Sequence, residues 1–163
     1  MTTDKTGQNV TMVLKVSNSV GWAAIGTGNS MTNSDMIIVW KSGKQVITST
    51  RYSQTEEPPA AFKSKSLYVP KFEIGGDSWT VSVVRPLKPT NDGFKATISK
   101  GSNSFIYAYS TTAPTGTNPS ADIKIHTEKG TFEHKVDAAS QAGGSMVIHM
   151  PLFNLPLVAL LAQ

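Results

Sequence analysis

Apolar residues recur at every second position along much of this chain, and this alternation constrains the fold more than any other feature. The stretch 9–16, NVTMVLKV, places Val10, Met12, Leu14 and Val16 on one face of an extended strand. Successive side chains of a β-strand point to opposite faces, so such a segment has one buried face and one polar face. The pattern predicts an all-β protein, and no helix of ordinary length is expected before the C-terminal segment.

Turn residues divide the chain into many short strands separated by Gly-, Asn- and Pro-rich segments. Strands are predicted at 9–16, 20–27, 35–41, 45–50, 67–73, 78–84, 94–98, 104–110, 123–125 and 131–136. This spacing is typical of an antiparallel β-sandwich. A length of 163 residues corresponds to about one domain.

The composition excludes several classes of site. The chain has no cysteine, which rules out disulfides, thiol nucleophiles, cysteine zinc sites and covalently attached haem. The net charge is +4, but the lysines are scattered, so no nucleic-acid partner is expected. A low charged fraction, 16%, suits an extracellular or cell-surface β protein, although no signal peptide is visible in the polar residues 1–8.

The C-terminal part differs in character from the rest. Residues 138–145, AASQAGGS, predict a linker of small residues, which assigns 1–137 to the sandwich domain. Residues 146–163 are apolar but contain Pro151 and Pro156, and they fall short of the about 20 residues that span a membrane core. Three interpretations stay open: a lipid-anchor signal, the start of a truncated membrane domain, or a terminal element packed on the domain.

The segment 20–40, VGWAAIGTGNSMTNSDMIIVW, predicts two strands joined by a Gly-rich bend that carries Met31. Without cysteine, Met and His are the main candidates for a soft metal ligand. His126 also lies at a strand end, after a Pro/Gly loop, and loops of a sandwich can meet at one end. Haem iron accepts a His/Met pair, which favours electron transfer. From the residues alone, a gap-filling Met31 and an ordinary surface or hydrogen-bonded His126 are favoured over ligand roles.

A family resemblance supports the haem interpretation. The motif GWAAIGTGNSMTNSDMIIVW resembles the signature of DOMON domains, in particular the haem b cytochrome domain of fungal cellobiose dehydrogenases and related secreted cytochromes. Three later motifs agree with it: VITSTRY, RPL followed by ND, and FIYAYS followed by H-x-x-x-G-x-F. The resemblance covers about Gln8 to Val136 and implies an immunoglobulin-like antiparallel β-sandwich with its cofactor site at one end.

The resemblance also implies specific roles. It makes Met31 and His126 the axial ligands of a noncovalent haem b, with His134 as the alternative imidazole. It places Arg51 near the haem propionates, which suits bidentate carboxylate binding, although an ordinary strand-end position is the alternative. Lys129 replaces an aromatic residue of related domains. The complete set of residues assigned to the cofactor is Met31, His126, Arg51, Tyr52, Trp22 and Tyr109.

Three functions follow as hypotheses. The first is an electron-transfer domain, not itself an enzyme, that takes electrons from a flavoprotein dehydrogenase or reductant. Its acceptor would be a copper oxygenase, a quinone or ferric iron. The second is a haem-free DOMON module that binds carbohydrate through aromatics such as Tyr52, Tyr68 and Trp79. The third is a lectin-like or adhesion sandwich without a cofactor.

Overall fold

A computed structural model describes residues 9–88, 93–99 and 101–136. Within these residues the chain forms nine β-strands and no α-helix, and accordingly no helix there is long and apolar enough to cross a membrane. The linker predicted at 138–145 and the apolar segment 146–163 lie outside the described residues.

The nine strands form two antiparallel sheets. They are β1 (Asn9–Ser17), β2 (Trp22–Thr27), β3 (Ser34–Ser42), β4 (Gln45–Ser53), β5 (Ala60–Phe62), β6 (Tyr68–Ile74), β7 (Ser78–Pro86), β8 (Gly101–Ser110) and β9 (Glu128–Val136). The small sheet has the order β1-β7-β6, and the large sheet has the order β5-β4-β3-β2-β8-β9. The predicted all-β antiparallel sandwich is therefore confirmed.

The main core lies between the two sheets. The apolar face of β1 is almost completely buried, with each of its four predicted core residues at most 2% exposed. It packs against the inner face of the large sheet, which is the face turned toward the small sheet. The residues contributed by that inner face include Ala23, Ile25, Ile37 and Val39.

The large sheet also buries part of its outer face, the face turned away from the small sheet. A second apolar cluster there contains Trp22, Ala24, Ile38 and Trp40. Since alternate residues of β2 and β3 belong to different clusters, both strands are buried on both faces. This explains the continuous apolar runs WAAI and MIIVW, which do not alternate with polar residues.

A buried ion pair joins the two sheets. Arg85 of β7 and Asp35 of β3 approach to 3.6 Å between Nη2 and Oδ2, with side chains 1% and 0% exposed. The Asp35 carboxylate also accepts hydrogen bonds from the backbone N–H groups of Lys95 and Ala96, and the Arg85 guanidinium lies 4.0 Å from the ring centre of Phe94. The Arg-Pro-Leu motif is thus part of the inter-sheet packing.

Two predicted strands are wrong. Residues 94–98 do not pair as a strand, because the Asp35 carboxylate occupies the backbone donors of Lys95 and Ala96. Residues 123–125 are also not a strand, since Ile123 packs instead on the outer-face cluster. The short strand β5 lies within a segment that the sequence indicated as a loop.

Candidate functional site

A long loop folds over the outer face of the large sheet. This covering loop, residues 111–127, connects β8 to β9. The indole Nε1 of Trp40 donates to the carbonyl of Gly116 at 3.1 Å, and Ile123 packs on the apolar cluster. The cluster is therefore enclosed between the large sheet and the covering loop.

The centre of the outer face carries small residues. Ala24 is paired with Ile38 on one side and Ala108 on the other. Gly26 is paired with Met36 in β3, and a Cβ at Gly26 would lie 2.7 Å from Ser34 Oγ. Ser34 and Ile106 thus approach the backbone of Gly26 closely, which leaves no room for a side chain at this position.

Hydrogen bonds at its two ends close the covering loop. Gly21 N–H donates to the carbonyl of Ser110 at 2.7 Å, and Thr127 N–H donates to the carbonyl of Tyr109 at 2.7 Å. The Thr127 hydroxyl oxygen accepts from Thr111 N–H at 3.3 Å. These bonds fix the start and the end of the loop beside the same end of β8.

Gly21 is required by close contact with the covering loop. A Cβ at this position would overlap the backbone of Thr112 and Ala113. We expect Gly21→Ala to displace the loop and to lower the free energy of unfolding by about 1–3 kcal/mol, as over-packing does elsewhere. Urea denaturation followed by tryptophan fluorescence measures this change.

Gly76→Ala is the matched control, because a Cβ at Gly76 meets no atom within 4 Å. An equal loss of stability in both variants would show that the loop contact is not the cause. A Gly21→Ala protein as stable as its parent would also contradict this role.

His126 lies at the base of the covering loop. It directly precedes Thr127, whose backbone is bonded to Tyr109, and its side chain is half-buried. This position places an imidazole beside the end of β8.

Met31 lies in the turn between β2 and β3. Ser34 N–H donates to the carbonyl of Met31 at 3.2 Å, and Asn33 adopts a left-handed conformation with a φ of 56°. The hydroxyl of Tyr52 donates to Asn33 Oδ1 at 3.1 Å, which ties the turn to β4. Met31 is half-buried. Tyr52 therefore positions the turn that carries Met31.

The strand register separates these two residues along the sheet. Thr27 is opposite Phe105, whereas Trp22 is opposite Ser110. Met31 follows the Thr27 end of β2, while His126 lies beside the Trp22 end, and the strand between them is about 17 Å long at 3.3 Å per residue. The structure thus places the two loops at opposite ends of the β2–β8 pair, so the thioether and the imidazole have to reach toward each other along the sheet to share one metal ion.

Arg51 anchors the covering loop to β4. The guanidinium donates to two carbonyls of the covering loop, those of Pro119 at 3.4 Å and Ala121 at 2.5 Å. It also donates to the carbonyl of Pro59 and to Ser49 Oγ. Its side chain is buried, and this burial lowers the pKa of Arg51 from its ordinary value, an effect that the charge of Asp122 partly opposes.

Trp22 and Tyr109 are on opposite faces of the large sheet. Trp22 belongs to the outer-face cluster. Tyr109 packs against the inner core, and its hydroxyl donates to Glu128 Oε2 at 2.7 Å. The alternation along β8 puts Tyr109 on the inner side with Tyr107, so Trp22 and Tyr109, both assigned to the cofactor from the sequence, do not share a face of the sheet.

The contact between Tyr109 and Glu128 gives a pH prediction. The hydrogen bond raises the pKa of Tyr109 above its ordinary value of 10.0, and burial and the carboxylate charge act in the same direction. A raised folded-state pKa stabilises the protein below the unfolded pKa, and this contribution is lost as the pH rises through the folded pKa. We expect Glu128→Gln to shift the tyrosinate absorbance transition of Tyr109 to lower pH, with Tyr109→Phe identifying its signal.

A polar cleft of about 370 Å³ opens beside the Met31 turn. Its lining consists largely of small polar and amide side chains, among them Asn29, Asn33, Thr97 and Asn103. Sequence patterns did not indicate this cleft. Trp79, which was considered as a sugar-stacking platform, is only 1% exposed and cannot serve as one.

Among the residues that the structure describes, no group of three or more His, Cys, Asp or Glu side chains is placed to hold a metal ion. Gly21 and Thr127 were missed as loop-closing residues, although the glycine before Trp22 was a visible signal.

Comparisons with known proteins agree on one family. The family model described as the cytochrome domain of cellobiose dehydrogenase matches residues 1–143. The cytochrome b domain of pyranose dehydrogenase from Coprinopsis cinerea has 19% sequence identity and a TM-score of 0.65, covering 83% of this chain and 76% of that one. The cytochrome domain of Myriococcum thermophilum cellobiose dehydrogenase has 18% identity and a TM-score of 0.64, covering 80% and 65%. No curated protein sequence matches the chain.

Proposed function

We propose that this chain, which belongs to the family of the cytochrome domain of cellobiose dehydrogenase, is a b-type cytochrome that transfers single electrons. The observation that carries the proposal is the family match over residues 1–143, together with a thioether at Met31 and an imidazole at His126 in the loops at the two ends of the β2–β8 pair. A thioether and an imidazole are the donor set of a six-coordinate electron-transfer haem.

The described residues fit a haem in the chemistry of their side chains. Met31 and His126 supply a thioether and an imidazole. The cluster of Trp22, Ala24, Ile38 and Trp40 supplies an apolar lining, on which Ile123 of the covering loop now packs.

The chain's own residues hold and shield the group. A bound haem would supply a one-electron redox centre, and His126 and Met31 are the residues that would hold its iron. Thr127 fixes the backbone next to His126, and Tyr52 fixes the turn of Met31 through Asn33. The covering loop lowers the local polarity, which tunes the reduction potential.

The proposed partners follow from the relatives. Pyranose dehydrogenase and cellobiose dehydrogenase carry cytochrome domains of this fold, which supports a flavoprotein dehydrogenase as the electron donor. The acceptor is a copper oxygenase, a quinone or ferric iron, and the location is extracellular or at the cell surface. The domain occupies 1–137, followed by the linker 138–145, and membrane attachment through 146–163 remains a prediction.

Stopped-flow mixing with a sugar-oxidising flavoprotein dehydrogenase and its substrate tests electron transfer. We expect the haem-loaded protein to be reduced at a rate that rises with dehydrogenase concentration, and to be reoxidised by a copper oxygenase or ferric iron. The same protein loaded with zinc protoporphyrin is the control, because zinc has no redox step. A haem-loaded protein that neither accepts nor releases electrons would contradict the proposal.

A further inference from the structure

We propose that the polar cleft beside the Met31 turn binds a small, neutral, hydroxyl-rich ligand of the saccharide class. The cleft has a volume of about 370 Å³, within the range of about 300–1,000 Å³ that small-molecule sites occupy. It lies at the Thr27 end of β2, and no residue of the outer-face cluster lines it. The proposal therefore goes beyond electron transfer and does not depend on a bound haem.

One wall of the cleft is the Met31 turn, which two hydrogen bonds hold in place. Gly28 N–H donates to the carbonyl of Ser104 at 2.9 Å, and the Tyr52 hydroxyl donates to Asn33 Oδ1 at 3.1 Å. Gly28 has a φ of 95°, and a Cβ at this position would meet no atom within 4 Å. The backbone of this wall is thus fixed from the protein side and open on the side of the cleft.

A second wall, residues 96–98, is also fixed by hydrogen bonds. The backbone N–H of Ala96 donates to Asp35 Oδ2 at 2.6 Å, and that of Ile98 donates to the carbonyl of Leu87 at 2.7 Å. The buried ion pair that joins the two sheets therefore also sets one side of the cleft. Both walls are in place before a ligand arrives, and a preorganised site loses less entropy on binding than a flexible one.

The side chains that line the cleft define the class of ligand. Among the residues that the structure describes, the side chains of Asn29, Thr97 and Ser104 make no hydrogen bond to the protein. The Nδ2 group of Asn33 is unpaired in the same part of the chain, since only its Oδ1 is used. Hydroxyl and amide groups together offer both donors and acceptors. Their convergence on one small volume matches a molecule that carries several hydroxyl groups.

The electrostatics of the cleft favour an uncharged ligand. None of the described residues that line it carries a charged side chain. Taking an ion out of water is costly unless an opposite charge compensates for the lost hydration. In addition, Glu133 Oε2 lies 3.2 Å from the hydroxyl of Ser102, a lining residue, and its negative charge repels an anion. A neutral sugar is thus favoured over a phosphate or a sugar acid.

NMR titration of the ¹⁵N-labelled full chain tests the proposal directly. The neutral probes are glucose, galactose, xylose and cellobiose, and the charged probes are glucuronate and inorganic phosphate. We expect at least one neutral sugar to shift the amide signals of Asn29, Thr97 and Ser104 in a saturable way, and the two anions to shift them less. The proposal is wrong when no neutral sugar shifts these signals, when the shifts fall on other parts of the protein, or when the anions bind as well as the sugars.

A matched pair of variants locates the site. We expect Thr97→Val to weaken binding of the sugar identified in the titration about fivefold, the effect of losing one neutral hydrogen bond. Thr117→Val is the control, because Thr117 is also an exposed threonine but does not line the cleft. It should bind like the parent, and equal affinities of the two variants would overturn the proposal.

Titration of the protein with and without added haem separates this proposal from the cytochrome function. We expect the same sugar affinity in both samples, because the cleft shares no residue with the outer-face cluster. A protein that binds haem but no neutral sugar overturns the cleft proposal alone. A protein that binds a sugar in the cleft but no haem supports the cleft proposal and contradicts the cytochrome function.

Discussion

Asp35→Ala is expected to lower the free energy of unfolding by about 3–5 kcal/mol, the usual effect of removing one partner of a buried ion pair. The variant leaves the buried guanidinium of Arg85 without its carboxylate. It also removes the acceptor for the backbone N–H groups of Lys95 and Ala96. Urea denaturation monitored by fluorescence and circular dichroism measures the effect. Because small domains are stable by only about 5–15 kcal/mol, a loss of this size should leave part of the variant unfolded without denaturant when the parent lies at the low end of that range.

Two further variants control this experiment. Asp35→Asn keeps an amide oxygen for the backbone donors but not the charge, so its loss should be smaller than that of the alanine variant. Asp77→Ala removes an exposed carboxylate and should stay within about 0.5 kcal/mol of the parent. An Asp35→Ala protein as stable as Asp77→Ala would mean that the ion pair does not hold the sheets together.

His126→Ala is expected to cost the protein its haem, whereas Met31→Ala should retain a five-coordinate haem with a lower reduction potential. Removing a group that only hydrogen-bonds to a metal ligand lowers metal affinity by roughly 10–100-fold, so removing the imidazole ligand itself should lower haem affinity by at least that factor. A methionine ligand raises the haem potential, and its removal therefore has the opposite effect. Haem titration and potentiometry of the two variants give these quantities.

His134→Ala is the control for the imidazole. His134 lies on β9 opposite Asn103, on the same side of the large sheet as Phe132, which packs against the inner core and not against the outer-face cluster. This variant should bind haem like the parent. Loss of haem in His134→Ala together with retention in His126→Ala would refute the ligand assignment.

The alternation of apolar residues predicted most of the fold. Alternation in β1 correctly predicted its buried face, and the two-faced burial of β2 and β3 agrees with their continuous apolar runs. The segment 94–98 shows where such patterns fail. Its apolar residues are buried, but a distant carboxylate takes the hydrogen bonds that a strand would make.

The sequence predicted the candidate site less completely than it predicted the fold. Alternation shows that Tyr109 and Ala108 face opposite sides of β8, but not which side a loop covers. The separation of Met31 and His126 along β2 depends on strand register, which the chain sets only when all strands pair. The unpaired indole of Trp22 depends on where the covering loop places its carbonyls, and no local motif encodes that.

An absorption spectrum of the purified protein after addition of haem, oxidised and then reduced with dithionite, tests the central claim most directly. A cytochrome with His126 and Met31 as ligands predicts sharp α and β bands on reduction and a shifted Soret band, the signature of six-coordinate low-spin haem. A spectrum that shows only free haem in both states would contradict the electron-transfer function.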